Sequence, residues 1–499
     1  MVRLSANNMP RRPRFLCVWK RGLPNADYRV HENSTGNALT ALMERVYWVQ
    51  DPTSPTGYSE PPEVTVDLKR VLSKFRALIC RRVGIVVPWT HEEFLDGYRG
   101  RKRLMYERGI EEIRRKPYSH KESILSTFQK NERFRYDLKP NSTPRLINPR
   151  SVPFNCRVGP SLKPMEHRIY AAIDSIFGCR TVAKGLNATQ VADTFFREWG
   201  KYKDPVAHSF DCSHCEQHFR PAMLAWEHSV YLACTTQQNR ATLAECLRDQ
   251  LVNTGYLRTP GTTIKFTVQG NRASGDMNTA MGNVLCIVAM IYSCLGVTGY
   301  SLVDNGDDFI IITERNGGVN VNLLVPFFLS CGFTLRVEGS TDVIEKIRFC
   351  QAAPIDLGGG SHRMVRPPET LAKDMATYRD LRSPALRKAW LTSVGACGRA
   401  LCSGVPIHHS VFKSIPDYGI YNPDLPLESG FFHLSKGLHD DTPSVSDTAR
   451  VSYWRAFDIS PGQQEVLENV EKPEYLLDAE TPWSGYEWCG LMHKVQGRF

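Results

Sequence analysis

Between Thr279 and Val303 the chain runs for 25 residues without a charged side chain, and the next five are Asp304-Asn305-Gly306-Asp307-Asp308. Nothing else in the sequence restricts the fold as much. The run exceeds the ~18 residues that suffice for a membrane span, so it either faces lipid or lies deep in a core. Ser293, Gly296, Thr298 and Gly299 interrupt it, which favours a buried helix followed by a turn and a strand. A core of that size needs a long chain, and 499 residues of which 42% are hydrophobic supply it.

After the run, "LVDNGDDFII" sets an Asn-Gly pair between two apolar segments, Ser301 to Asp304 and Phe309 to Ile312. Asn-Gly is the strongest short-range hairpin signal. The expected hairpin carries Asp307 and Asp308 at its tip. Adjacent carboxylates repel unless a cation neutralises them, and a hard divalent ion with oxygen ligands suits the task. A solvated acidic turn would read the same way. What favours the metal is a second carboxylate: "VAHSFD" (Val206 to Asp211) is an apolar strand that ends on Asp211. Two strands ending in carboxylates can hold two metal ions ~4 Å apart, the arrangement used in phosphoryl transfer.

The stretch "SFDCSHCEQHF" also admits zinc, because Cys212, Cys215, His228 and Cys234 are spaced C-x2-C-x12-H-x5-C. Two points weigh against it. His228 and Cys234 are separated by about 600° of helical rotation, and a helix begins almost directly after the cysteines, leaving no room for a hairpin. Packing or turn positions are the better reading of Cys212, Cys215, His214 and His218. All told there are fifteen cysteines, irregularly spaced, which points to reduced thiols in a cytosolic compartment. The first 21 residues hold Arg3, Arg11, Arg12, Arg14, Lys20 and Arg21 with no apolar stretch, so no secretory leader is expected.

The net charge of +10 is concentrated. Arg99 to Arg150 holds 15 Lys/Arg and 6 Asp/Glu, an excess of +9. This fits a polyanion-binding face, although Glu107, Glu111 and Glu112 alternate with Arg108, Arg114 and Arg115 as in a solvated charged helix. Elsewhere, Asp51 to Glu63 reads as an exposed Pro/Ser/Gly-rich connection, and a helix is expected to begin near Pro164. Phe219, Met223, Trp226 and Val230 recur at helical spacing. "KFTVQG", "GFTLRVEG" and "KIRFCQAAPI" read as short strands, and the chain after Lys373 as helix and loop. The fold class is α+β, an antiparallel sheet backed by helices.

Three motifs in order resemble a known family. "FDCSHCE", then "SGDMNTAMGN" (Ser274 to Asn283) with the form S-G-x-x-x-T-x-x-x-N, then "NGDD" 22 residues later resemble motifs A, B and C of the viral RNA-dependent RNA polymerases of positive-strand RNA viruses. The likeness is strongest to the tombusvirus and carmovirus group. "PRLINPRSVPFN" with "LKPMEHRIYAAID" resembles its basic fingers motif, "GFTLRVEG" motif D, "FCQAAPI" motif E, and "RMVRPPETLAKD" the segment that follows; together they span Lys139 to Asp374.

The resemblance implies a right-hand fold. Residues 1–98 would bridge fingers and thumb, 99–205 form fingers, 206–372 form the palm with a fingers insertion near 235–265, and 373–499 form the thumb and C-terminal region. It implies magnesium, for which manganese can substitute, on Asp211, Asp307 and Asp308. Lys139, Arg145 and Arg150 would grip the triphosphate, since guanidinium forks suit phosphate. Ser274, Thr279 and Asn283, with Glu216, would sense the ribose 2′-hydroxyl; on the residues alone, Ser274 or Thr279 reads as a helix cap. Glu216 is a departure, because the family usually has aspartate there. Phe349, Cys350 and Gln351 would support the primer or nascent strand, and Lys346 is the nearest candidate for a general acid. Implied partners are template and nascent RNA, NTPs and a membrane-anchored viral auxiliary replication protein. The implied location is the host cytoplasm, in replication complexes at membranes reached through that partner or an upstream segment. A reverse transcriptase would generally carry an aromatic Y-x-D-D turn and lack Asn283, and a non-catalytic RNA-binding or capsid protein would leave the ordered carboxylates unexplained.

Overall fold

The computed structural model describes residues 1–12, 14, 16–20, 27–425, 430–441, 444–469 and 476–478. The uncharged run becomes the helix Thr279–Leu295, a short loop and the strand Tyr300–Asp304, every residue of which is buried. Among the described residues no helix is long and apolar enough to cross a membrane.

That strand is the edge of a four-stranded antiparallel sheet, ordered Tyr300–Asp304, Asp308–Glu314, Pro205–Cys212, Leu335–Thr341. Strand side chains alternate between faces, and here both faces are covered. Phe210, Leu302, Phe309 and Ile311 join the core that contains the helix Thr279–Leu295 and the long helix Val152–Phe177. Ala207, Val303, Ile310 and Ile312 join a second core with Phe195, Phe349, Trp390 and Leu391. Burial on both sides explains why "FIII" is an unbroken apolar run rather than an alternating one.

Two expectations about local structure change. The long helix starts at Val152, not near Pro164, because Ser151 caps it and Pro153 sits in the first turn, with Pro160 and Pro164 inside. An interior proline leaves a carbonyl one turn back without its N–H partner. For Pro164 that carbonyl belongs to Pro160, and the Trp89 N–H fills the gap at 2.9 Å. Second, the segment "KIRFCQAAPI" is not one strand. It forms the single helical turn Ile344–Lys346, then a tight turn bridged between Phe349 and Ala352, and only then the strand Ala353–Gly358.

A second sheet is ordered Val2–Ala6, Thr262–Gln269, Val252–Thr259, Leu125–Gln129, Leu146–Ile147. The strand Val252–Thr259 had no clear signal in the sequence; it pairs along its whole length with Thr262–Gln269. A third sheet puts Cys17–Lys20 between Ala376–Thr377 and Leu476–Asp478. Part of the 373–499 assignment, including everything from 479 onward, lies outside the described residues. The basic helix Gly100–Arg115 is largely exposed and carries ion pairs from Arg103 to Asp96 and Glu107 and from Arg114 to Glu92, as the solvated-helix reading expects.

Candidate active site

The sheet brings the sequence's acids together. In the register of the two central strands, Asp308 stands opposite Asp211, and the Cys212 N–H donates to the Asp307 carbonyl at 2.8 Å. The turn is wider than the expected two-residue Asn-Gly turn, since the last pair of the hairpin is Asp304 with Phe309 and four residues lie between. Two bonds account for this. The Gly306 N–H donates to the Asp304 carboxylate at 3.1 Å, an Asx-type bond that competes with the ladder, and the Asn305 N–H closes the turn on the Asp308 backbone carbonyl at 2.9 Å. Asp307 is exposed, whereas Asp304 is wholly buried.

Electrostatics marks this cluster as strained in charge. Burial pushes the Asp308 carboxyl up to about 7, against a hydrogen bond from the Cys350 N–H, with the charges of Glu338, Asp307 and Asp211 adding to the rise. Burial also raises Asp211, with the Asp307 charge contributing, although its Ser213 hydrogen bond and the cations Arg336 and Lys139 oppose. Carboxyls raised together by burial and by one another's charge are a mark of functional sites.

Cations ring the same strand end. Arg336 stands opposite Asp211 on the neighbouring strand. His214, in left-handed backbone with φ 46°, is held down to about 4 by burial and by the charges of Arg45, Arg336, Lys139 and Arg145. Lys139 and Arg145 are exposed, and Arg145 lies 3.4 Å from Glu132. Arg150 does not join them. Its guanidinium is fully buried and donates to Asp276 at 2.6 Å, Asn253 at 2.6 Å and the Ser123 carbonyl at 2.6 Å. Those bonds occupy the fork, so the expectation that Arg150 grips a triphosphate is corrected: it ties down the loop that holds Asp276. Arg45 and Arg336 went unnoticed in the sequence: Arg45 lies outside every motif, and nothing local in "GFTLRVEG" sets Arg336 opposite Asp211.

Two of the residues expected to sense ribose, Asn283 and Glu216, meet at Arg272. Its Nε donates to Asn283 Oδ1 at 3.1 Å, its backbone N–H to the Glu216 carbonyl at 2.8 Å, and its guanidinium to the buried carboxylate of Glu227. Asn283 packs beside the acidic turn, since a Cβ on Gly306 would lie 3.2 Å from Asn283 Cβ. The Glu216 carboxylate faces Arg45 at 3.8 Å. Neither Ser274 nor Thr279 caps the helix; Asn278 occupies that position without a side-chain cap bond, and the Thr279 hydroxyl donates to the Ala273 carbonyl at 2.8 Å. The Ser274 carbonyl accepts from Asn148 N–H at 2.9 Å.

The turn at Phe349, Cys350 and Gln351 reaches the acids through its backbone. Cys350 N–H donates to Asp308 Oδ2 at 2.6 Å, the Asn305 amide donates to the Cys350 sulfur at 2.9 Å, and both Cys350 and Gln351 have positive φ. Phe349 is buried, edge-on to Phe195 at 5.3 Å. The Lys346 Nζ, expected as a candidate general acid, pairs with both oxygens of Asp458, at 2.8 and 2.7 Å.

Do these residues fit magnesium? Among the described residues no three carboxylate, imidazole or thiol groups form a ready-made metal cage. Magnesium does not need one, since it keeps waters and combines one or two carboxylates with substrate phosphates. Asp308 Oδ1 is a buried oxygen with no hydrogen-bond partner, as expected of a ligand to a hard cation. The zinc alternative has no such support. Cys212 and Cys215 are buried side by side, His228 Nε2 is bonded to Gln250 at 3.1 Å, and Cys234 faces Cys80. His218 is buried between the His214 carbonyl and Thr334.

A family model described as viral RNA dependent RNA polymerase matches residues 2–474. The RNA-directed RNA polymerase of tobacco necrosis virus (strain D) is 35% identical over 465 residues, covering 89% of this chain and 63% of that protein. The enzyme of turnip crinkle virus is 33% identical over 485 residues, 96% of this chain and 61% of the relative. That of carnation mottle virus is 34% identical over 465 residues, 92% and 60% respectively. The chain thus spans between 60% and 63% of the length of these relatives. With an ordered motif set, a cross-strand acid pair and a model match over nearly the whole length, the chain belongs to the viral RNA-dependent RNA polymerase family.

Proposed function

We propose that this chain catalyses RNA-templated RNA synthesis for a positive-strand RNA virus, transferring a nucleoside monophosphate from an NTP to an RNA 3′-hydroxyl with release of pyrophosphate. The observation that carries the reading is the pairing of Asp211 with Asp308 beside the exposed Asp307, at a strand end ringed by Arg45, Arg336, Lys139 and Arg145. Asp211, Asp307 and Asp308 would hold magnesium or manganese, which when bound favours the attacking alkoxide and neutralises the leaving pyrophosphate. The chain's own residues do the rest. Lys139 and Arg145 orient the triphosphate by charge, the Cys350 N–H fixes one oxygen of Asp308, and the turn at 349–351 supports the strand whose 3′ end is extended.

In this reading the four-stranded sheet is the palm, the sheet containing Val252–Thr259 belongs to the fingers, and the helices from Pro384 onward form the thumb. The strands Val2–Ala6 and Cys17–Lys20 support a bridging role for the N-terminal region, because they pair with Thr262–Gln269 and with Ala376–Thr377. RNA and NTPs are the partners the site requires, and a membrane-anchored auxiliary replication protein or an upstream segment would supply attachment to host membranes.

Primer extension on an RNA template tests the proposal. NTP incorporation should require magnesium or manganese and fall about a hundredfold or more in Asp211→Asn and in Asp307→Asn. Undiminished synthesis by either variant would remove these carboxylates from the chemistry. Preference for dNTPs would favour a reverse transcriptase instead.

A further inference from the structure

Arg272 lies wholly inside the protein and is held on every side. Glu227, itself fully buried, takes two of its nitrogens; the Phe219 ring lies 4.1 Å from its guanidinium carbon; and Nε donates to Asn283 Oδ1 at 3.1 Å. Burial alone would raise the Glu227 carboxyl and lower the guanidinium. The pairing reverses both, holding Glu227 below and Arg272 above their ordinary values. Gly282 makes room for the pair, since a Cβ there would sit 2.3 Å from Glu227 Oε1 and 2.7 Å from Arg272 Nη2.

A guanidinium has five donors and no acceptor. The atom of Asn283 that meets Arg272 must therefore be the carbonyl oxygen, and the amide has one orientation. Its Nδ2 is left without a protein partner among the described residues, on a half-exposed side chain next to Gly306 of the acidic turn. The same Arg272 holds the Glu216 carbonyl through its backbone N–H at 2.8 Å, while Arg45, bonded to the Thr143 and Pro144 carbonyls, faces the Glu216 carboxylate. One residue thus joins an obligate donor, the Asn283 amide nitrogen, to an obligate acceptor, the Glu216 carboxylate.

We propose that Arg272 is a positioning residue for ribose selection: by occupying Asn283 Oδ1 it presents Nδ2 to the nucleotide, so the 2′-hydroxyl accepts from Asn283 and donates to Glu216. The inference rests on the polymerase reading and adds to it the direction of each hydrogen bond. It also gives the unusual glutamate a defined task, that of the acceptor, with its backbone fixed by Arg272 and its side chain steadied by Arg45.

The test is the ratio of kcat/KM for ribo-, 2′-fluoro- and 2′-deoxynucleotides in template-directed extension. Asn283→Asp keeps the oxygen that faces Arg272 but turns the outward donor into an acceptor. The ribo/deoxy ratio should fall about tenfold, the worth of one hydrogen bond, and the preference for 2′-fluoro over 2′-deoxy, an acceptor-only substituent, should fall as well. Arg272→Lys, which keeps the charge for Glu227 and removes the Nε donor, should lower the same ratios. A merely structural role for Arg272 would lower incorporation of all three nucleotides alike. If Asn283→Asp leaves both ratios unchanged, the amide shows its oxygen to the nucleotide and the inference is overturned; should Arg272→Lys fail to fold, Asn283→Asp decides alone. Failure of the unaltered protein to extend any primer would instead count against the polymerase reading itself.

Discussion

Asp304 is the acid of the hairpin with no assigned task, and its chemistry is unusual. Burial raises its carboxyl well above the ordinary range, with Asp307 and Asp308 adding to the rise while the Gly306 N–H and the Lys184 charge oppose it. Because the folded form holds its proton more tightly than the unfolded chain does, folding takes up a proton, and this group's contribution to stability declines as pH rises above about 4. Asparagine copies the neutral acid and does not titrate. Asp304→Asn should therefore stabilise the protein relative to its parent, and by more at pH 8 than at pH 5; urea midpoints at both pH values check it, and a gap that does not widen with pH would count against a protonated Asp304. At this scale the sequence was readable where chemistry is local. Asp211, Asp307 and Asp308 each stand at a strand end or turn that the pattern announces. Arg150 was misjudged because its partners, Asp276 and Asn253, lie over 100 residues away, at separations of 126 and 103, and no local pattern reveals a buried ion pair.

The helix Thr279–Leu295 was legible as an element, because 25 uncharged residues leave few alternatives. Its beginning was not. No side chain caps it, and the order there comes from Asn278 bonded to Glu227 and Gln250, and from the Thr279 hydroxyl on the Ala273 carbonyl. Gly282 belongs to this element as a steric requirement rather than as a flexible point. Gly282→Ala would normally favour a helix, yet here the added methyl meets two locked side chains, so the substitution should destabilise the protein by about 1–3 kcal/mol. A lowered urea midpoint is the expected reading; a stabilised variant would mean that the Glu227 and Arg272 pair can move aside. The proline-bearing helix Val152–Phe177 makes a similar point. Its start was misplaced because the carbonyl freed by Pro164 is satisfied from outside, by Trp89.

At the scale of the molecule, the first twenty residues tie distant parts together: Val2–Ala6 pairs with Thr262–Gln269, and Cys17–Lys20 is the central strand between Ala376–Thr377 and Leu476–Asp478. The alternation in "VRLSA" marks a strand but names no partner, and with one residue half-buried and four exposed it leaves no apolar face to be matched to a distant sheet. Removing residues 1–20 should leave the acid pair in place but unpair an edge of one sheet and the centre of another. The expected result is an earlier first unfolding transition and a loss of primer extension; wild-type activity in the shortened chain would show that the ties are dispensable. These pairings also set a timetable. At 5–20 residues per second, a ribosome needs about 13 to 53 s to travel from residue 2 to residue 266, its partner in the register. The three-stranded sheet waits longer, since Leu476–Asp478 is made more than 450 residues after Cys17–Lys20. The chain therefore emerges carrying strands whose mates do not yet exist, and the three-stranded sheet can close only after residue 478 has been made.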